Sequence, residues 1–274
     1  MDRSARFNVT PERRRVLLIA VIVLIIGSGA LLIVANFPNT APFRSSTVPP
    51  LDTQSRTGII IPLFSQNYSQ SQVEEVIQAK EAHPTLPFIV VANFGNGPGS
   101  SFDATKEKGI KSMQNAGIVV LGYVPTGWGR NNLSTIERGM ATFHQWYQVD
   151  GIYLDQMVNW EFGSAGQYLP PFYTSLTSYG KSLGMSEIVG NSGADVPYFF
   201  VGTVDRIGIF ENAFTPPVSY LEGWHQTYNK SNFWFVSYNV SSINPFYLAS
   251  ASDSVSYLFL TTGERPYPYN SLPS

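Results

Sequence analysis

Residues 118–155 read IVVLGYVPTGWGRNNLSTIERGMATFHQWYQVDGIYLD. The run 118–125 is apolar and rich in β-branched residues, which predicts a strand buried on both faces. A turn-forming stretch with two glycines and two asparagines follows, and then an amphipathic segment at 134–147 that predicts a helix. GIYLD at 151–155 is a second apolar run, and it ends on Asp155. Strand, helix and strand in this order form the unit of a parallel sheet, because parallel neighbours need a long crossover.

The unit recurs on both sides. Upstream, strands are predicted at 58–64 (GIIIPLF) and 87–93 (PFIVVAN). Downstream they are predicted at 187–191 (EIVGN), 206–212 (RIGIFEN), 233–239 (FWFVSYN) and 257–262 (YLFLTT). Further helices are predicted at 71–83, 103–116 and 168–183. The first places Val73, Val76 and Ile77 on one face and Glu74, Glu75 and Lys80 on the other. The last two helices of the pattern are the weakest, since the stretch at 243–253 is short and Ser-rich. Eight strands alternating with helices predict an α/β fold, a closed (β/α)8 TIM-type barrel over 57–274. An open doubly wound sheet is the alternative, but no G-x-G-x-x-G follows the first strand.

The chain has 274 residues, 43% hydrophobic, 14% aromatic and only 13% charged, which excludes a disordered protein. A formal net charge of −2 leaves little to neutralise phosphates, so no nucleic-acid partner is expected. With no cysteine there is no disulfide, thiolate zinc site, iron–sulfur cluster or cysteine nucleophile. No phosphate-binding loop or G-x-S-x-G occurs, which argues against a nucleotide ligand or a serine hydrolase. His83, His144 and His225 have no metal-ligand spacing and read as structural; no metal and no cofactor are expected.

Residues 16–35 (VLLIAVIVLIIGSGALLIVA) carry no charge over twenty positions, enough for a helix to cross a hydrocarbon core of about 30 Å. A single N-terminal transmembrane helix is therefore expected. The alternative is a cleavable signal peptide, whose apolar region usually runs about 7–15 residues. Arg13, Arg14 and Arg15 abut the segment, with Arg3 and Arg6 behind them, so residues 1–15 are expected in the cytosol. Residues 36–56 are rich in Pro, Ser and Thr and read as a tether. The expected localisation is a membrane-anchored protein with its barrel outside the cell, or a secreted barrel if the segment is cleaved. The outer part holds ten Lys/Arg against sixteen Asp/Glu.

In a barrel of this type, reactive groups come from the C-terminal ends of strands and the loops that follow. Asp155 closes the fourth predicted strand, Glu211 the sixth, Asn93 the second, and Tyr123 lies near the end of the third. Asp150, at the entry of the fourth strand, belongs to the opposite rim as a turn or capping carboxylate. Two carboxylates on one rim, followed by loops rich in Trp, Tyr, Asn and Gly, suit hydrolysis of a sugar polymer. One protonates the leaving oxygen, the other acts as base or nucleophile, and aromatic faces stack on the sugar rings.

The segments GIIIPLF (58–64), VVANFGNGPG (90–99), LGYVPTGWG (121–129), VDGIYLDQM (149–157), IVGNSG (188–193), IFEN (209–212) and YLFLTTGERPYPYNSLPS (257–274) follow in an order and spacing that resembles the spherulin-4-like family, spherulation-specific family 4. The resemblance implies a (β/α)8 barrel related to extracellular glycoside hydrolases that cleave α-1,4-linked galactosamine-containing polysaccharide. It implies Asp155 as a catalytic carboxylate with Glu211 as its partner. Asn93, Tyr123 and Trp128 fall where the family lines its cleft, and Gln156, Asn191 and Tyr238 complete the expected substrate-binding set. The family usually has adjacent Asp-Glu at the end of the fourth strand, where this chain has Asp155-Gln156. If that Glu is essential, the chain is a cell-surface carbohydrate-binding or envelope protein without activity. If Asp155 and Glu211 are the working pair, Gln156 changes only a hydrogen bond, and Glu161 in the following loop is a further substitute. Trp128 stands where the family has Tyr, and preserves stacking.

Overall fold

The computed structural model describes residues 56–64, 69–160 and 168–269. The apolar segment 16–35, nearly all of the tether and Glu161 lie outside these residues. Among the described residues no helix is long and apolar enough to cross a membrane.

Eight parallel strands close into a barrel in sequence order. They are β1 Gly58–Leu63, β2 Phe88–Ala92, β3 Val119–Pro125, β4 Gly151–Asp155, β5 Glu187–Asn191, β6 Arg206–Ala213, β7 Phe233–Tyr238 and β8 Tyr257–Leu260. The outer layer consists of α1 Gln70–Ala82, α2 Ala104–Asn115, α3 Leu133–Tyr147, α4 Pro170–Ser182, the one-turn α5 Val218–Leu221 and α6 Pro245–Ser254. The first helices start where a side chain can accept from free backbone N–H groups. Ser69 forms a capping box with Gln72 at α1, Asp103 accepts from Thr105 and Lys106 at α2, and Asn132 accepts from Ser134 at α3. β2 is buried at all five positions, as expected of a strand enclosed by barrel interior and helices.

Strand entry is fixed by two carboxylates of one design. Asp150 Oδ2 accepts from the Val120 amide at 2.8 Å, and Asp205 Oδ2 accepts from the Ile188 amide at 2.6 Å. Each aspartate directly precedes its strand and ties it to the preceding neighbour, so Asp150 is the capping residue expected at the rim away from the site.

The helical layer departs from the regular eightfold pattern. β5 runs to β6 through a single 3-10 turn, Tyr198–Phe200, and Val196, Phe200 and Val204 fill the space with apolar bulk. The Ser-rich stretch predicted as the weakest helix forms α6, capped by Asn244. After β8 the described chain reaches Tyr269 without a helix. The outer wall there is a groove of about 710 Å³ between α1 and α6, lined by Ile59, Val76, Leu86, Leu248 and Leu258 among others. β8 pairs with β1 at two positions, against five between β1 and β2.

β4 enters the barrel through a contact that admits only glycine. A Cβ on Gly151 would lie 1.9 Å from the Glu187 carbonyl oxygen of the adjacent strand, and that backbone cannot retreat without breaking the sheet. Gly151→Ala is expected to lower unfolding free energy by at least about 2 kcal/mol in urea melts, the cost of overpacking a fixed backbone. An unchanged midpoint would show that β4 can shift.

Candidate active site

The barrel interior at the C-terminal end is aromatic. Phe64, just past β1, packs edge-on against Tyr123 at 5.3 Å, Tyr153 at 6.0 Å and Tyr269 at 5.5 Å between ring centres. Tyr153 in turn lies 5.6 Å from the fully buried Trp234. Since side chains alternate along a strand, an inward Tyr153 makes Asp155 inward too. That is how GIYLD delivers a carboxylate to the mouth.

Glu211 needs a further device. Gly208 pairs with Trp234 and Phe210 with Phe235, so Ile209 is an extra residue in β6. A Cβ on Gly208 would meet the Trp234 ring and the Asn191 amide, so position 208 faces the interior. Strict alternation would then turn 210 inward and 211 away. The bulge at Ile209 reverses the parity and aims Glu211 at the mouth, a known use of bulges beside sites.

The two carboxylates share one donor. Asn191 Nδ2 donates to Asp155 Oδ1 at 2.9 Å and to Glu211 Oε2 at 2.6 Å. The two accepting oxygens therefore cannot be farther apart than these bonds laid end to end. Each carboxylate also has its own tyrosine: Tyr123 donates to Asp155 Oδ2 at 2.5 Å, and Tyr269 to Glu211 Oε1 at 2.6 Å. Asn191 is itself held, its Oδ1 accepting from the Gly193 amide at 3.0 Å.

Burial is the largest cause acting on both carboxyls and pushes them above the ordinary carboxylate range. At Asp155 the hydrogen bonds from Tyr123, the Gln156 backbone and Asn191 oppose it. At Glu211 the Tyr269 hydrogen bond opposes it, the charge of Asp155 adds to it, and Asn191 and Arg265 pull down. Burial, then the adjacent carboxylates, push Tyr123 and Tyr269 far up, so both hydroxyls remain donors.

This has a consequence for stability. Each carboxyl ionises less readily folded than unfolded, so the folded state keeps protons to higher pH, and stability falls as pH rises from the unfolded value through the raised folded one. Glu211→Gln cannot ionise. Its Tm is expected to exceed that of the parent protein above this window and to converge with it below 4.5, the ordinary value of a glutamate carboxyl. A gap of the same size at every pH would remove Glu211 from the account.

The other expected residues divide. Tyr238 is buried beside Glu211, accepting from Arg265 Nε at 2.7 Å and donating to Asn212 Oδ1 at 3.2 Å. Asn93 spends its side-chain oxygen on the Asn96 and Gly97 amides, at 2.7 and 3.3 Å, and shapes the loop after β2. Trp128 is 42% exposed on the rim, with the Arg130 guanidinium 5.4 Å over its ring. Gln156 takes a left-handed conformation (φ 55°), and its carbonyl accepts from Thr126 Oγ1 at 2.7 Å and the Trp128 amide at 2.8 Å, joining two loops. Arg206 pairs with Glu187 at 2.7 Å at the strand entries, and Arg130 Nε donates to the Gly127 carbonyl at 3.1 Å. His225 is 2% exposed and its Nε2 is bound to Asp195 at 2.9 Å; no group of metal-ligating side chains occurs among the described residues.

Sequence reading missed Phe64, Tyr269 and Arg265. Together with Glu211, Tyr238 and Tyr267 they line a cleft of about 410 Å³. The signal was present in the Tyr-rich segment after β8, but nothing local says that it folds back over the mouth.

Fold and site define a closed eight-stranded α/β barrel with a desolvated carboxylate pair at the C-terminal ends of its strands. The model of spherulation-specific family 4 matches residues 58–274, and the chain belongs to that family. The crystal structure of Aspergillus clavatus Sph3 in complex with GalNAc is similar over 81% of this chain and 95% of its own, at 20% identity and a TM-score of 0.67. Deoxyribose phosphate aldolase from Aeropyrum pernix is similar over 78% of this chain and 88% of its own, at 12% identity and a TM-score of 0.47. No curated protein matches the chain in sequence.

Proposed function

We propose that the protein is a glycoside hydrolase that cleaves an amino-sugar polysaccharide of the galactosamine type, held outside the cell by the apolar segment 16–35. The observation that carries this reading is the Asp155–Glu211 pair bridged by Asn191, whose facing oxygens are separated by no more than the 2.9 and 2.6 Å bonds to the shared nitrogen. Oxygens that close suit the short carboxyl separation of about 5–5.5 Å in retaining glycosidases better than the roughly 6.5–9.5 Å that leaves room for water in inverting ones. Family membership and the GalNAc bound to the Aspergillus protein support the sugar class.

In this reading Asp155, the better supplied with donors, is the nucleophile. It attacks the anomeric carbon while Glu211, pushed toward its protonated form by burial and by the charge of Asp155, gives its proton to the departing oxygen. Water then attacks the glycosyl ester, Glu211 takes its proton, and Asp155 leaves. The expected products from α-1,4-linked galactosamine polymer are new reducing ends with α configuration, read by NMR early in the reaction. β products would overturn the retaining assignment, and no reducing ends from galactosamine-rich, glucosamine-rich or neutral polymers would overturn the hydrolase.

One feature favours a second reading, a surface carbohydrate-binding protein without turnover. Gln156 is neutral where the family usually carries an acid. Saturable binding of a polymer that is never cut is its signature.

A further inference from the structure

Large hydrophobic side chains are exposed on one face of this barrel. Among the described residues, each exposed large hydrophobic side chain lies after a strand's C-terminal end, in the connection to the next element or the first turn of the following helix; Trp128, Trp160, Tyr168, Tyr198, Phe214 and Tyr267 are examples, at 42 to 65% exposure. Exposed apolar surface gathered around connections at one end of a barrel marks a contact surface.

Four of these rings stand in the connections that follow β3, β4 and β5. The Trp128 amide is bonded to the Gln156 carbonyl, directly after Asp155. Trp160 and Tyr168 belong to the next connection, and Tyr168 and Tyr198 both pack on Phe199, at 6.4 and 5.6 Å between ring centres. In chain order the series runs from Trp128, whose amide is bonded next to Asp155, to Tyr198 in the 3-10 turn between β5 and β6. Its exposed members are rings with at most a hydroxyl or indole N–H, the chemistry that stacks on the C–H faces of pyranoses.

We propose that Trp128, Trp160, Tyr168 and Tyr198 form a track that holds a polysaccharide chain several sugar rings beyond the scissile bond, making the protein selective for long polymer over short oligomers. This rests on the glycosidase reading and adds chain length as the selected property. The track binds by stacking and so tolerates differences in acetylation along the chain.

The test compares the full chain with its Tyr168→Ala/Tyr198→Ala double variant on α-1,4-linked galactosamine polymer and on its tetramer. The ratio of kcat/KM for polymer to that for tetramer is expected to fall at least tenfold in the variant, through KM on the polymer, with Tm held. An unchanged ratio overturns the track, as does an equal loss on both substrates. The same substitutions are made in an Asp155→Asn background, and polymer retardation is measured by affinity electrophoresis. If the parent protein cuts nothing, polymer binding that weakens tenfold on loss of the two tyrosines sustains the track while the hydrolase reading falls. Binding that is absent or indifferent to them overturns the track whether or not the protein is an enzyme.

Discussion

Turnover of a galactosamine polymer by the Asp155→Ala protein is expected to fall at least about 10³-fold, with a comparable loss in Glu211→Gln. The two losses have different origins. Without Asp155 no oxygen lies on the nucleophile side, and Tyr123 and Asn191 each lose an acceptor. Glu211→Gln keeps the shape of the side chain and removes only its transferable proton, so the defect is least for substrates with a good leaving group that needs no protonation. An aryl glycoside therefore separates the roles: Glu211→Gln recovers much of its rate on it, and Asp155→Ala does not. Since the two groups act as a unit, the double variant is expected to be little worse than the worse single one. An additive double loss, or rates within tenfold of the parent protein in either single variant, would place the chemistry elsewhere.

Removing the shared donor gives the second large effect. Asn191 Nδ2 is bonded to both carboxylates, so it favours their charged forms and holds down the values that burial raises. In Asn191→Ala both groups lose that bond and protonate more readily. Asp155 must be ionised to attack, so the acid limb of the rate profile moves to higher pH. Glu211 must be protonated to donate, so the basic limb moves the same way. The whole bell is expected to shift upward while its peak drops about 10²-fold, since a hydrogen bond to a buried charge contributes about 1.5–3 kcal/mol. A peak that falls without moving would mean that Asn191 only fills space.

The strands were legible because a barrel strand is enclosed on both faces and writes its burial into a short apolar run. GIYLD and EIVGN mark β4 and β5 to the residue. Asp155 followed from the same pattern, as the polar residue that ends such a run. Glu211 was found at the strand end, but what turns it inward is an extra residue, Ile209, which looks like any other apolar strand position. The role of Asn191 needed three dimensions, because its two acceptors are 36 and 20 residues away. Tyr269 was hidden for the same reason, lying 58 residues from Glu211 in a segment with no helical or strand period. The missing helix between β5 and β6 escaped notice since Val196, Phe200 and Val204 supply its apolar contacts from irregular chain.

The sparse junction between β8 and β1 is the expected starting point of heat inactivation in this barrel. The chain that leaves β8 carries Arg265 and Tyr269 to the mouth, and among the described residues no helix follows β8 to brace the wall between α1 and α6. When thermal motion parts those two paired positions, the tyrosine swings off Glu211 while the remaining seven strand junctions still hold. On the glycosidase reading, competence is latched at the lip where the barrel closes, and activity is expected to fade at a lower temperature than the one at which far-UV circular dichroism shows the sheet melting.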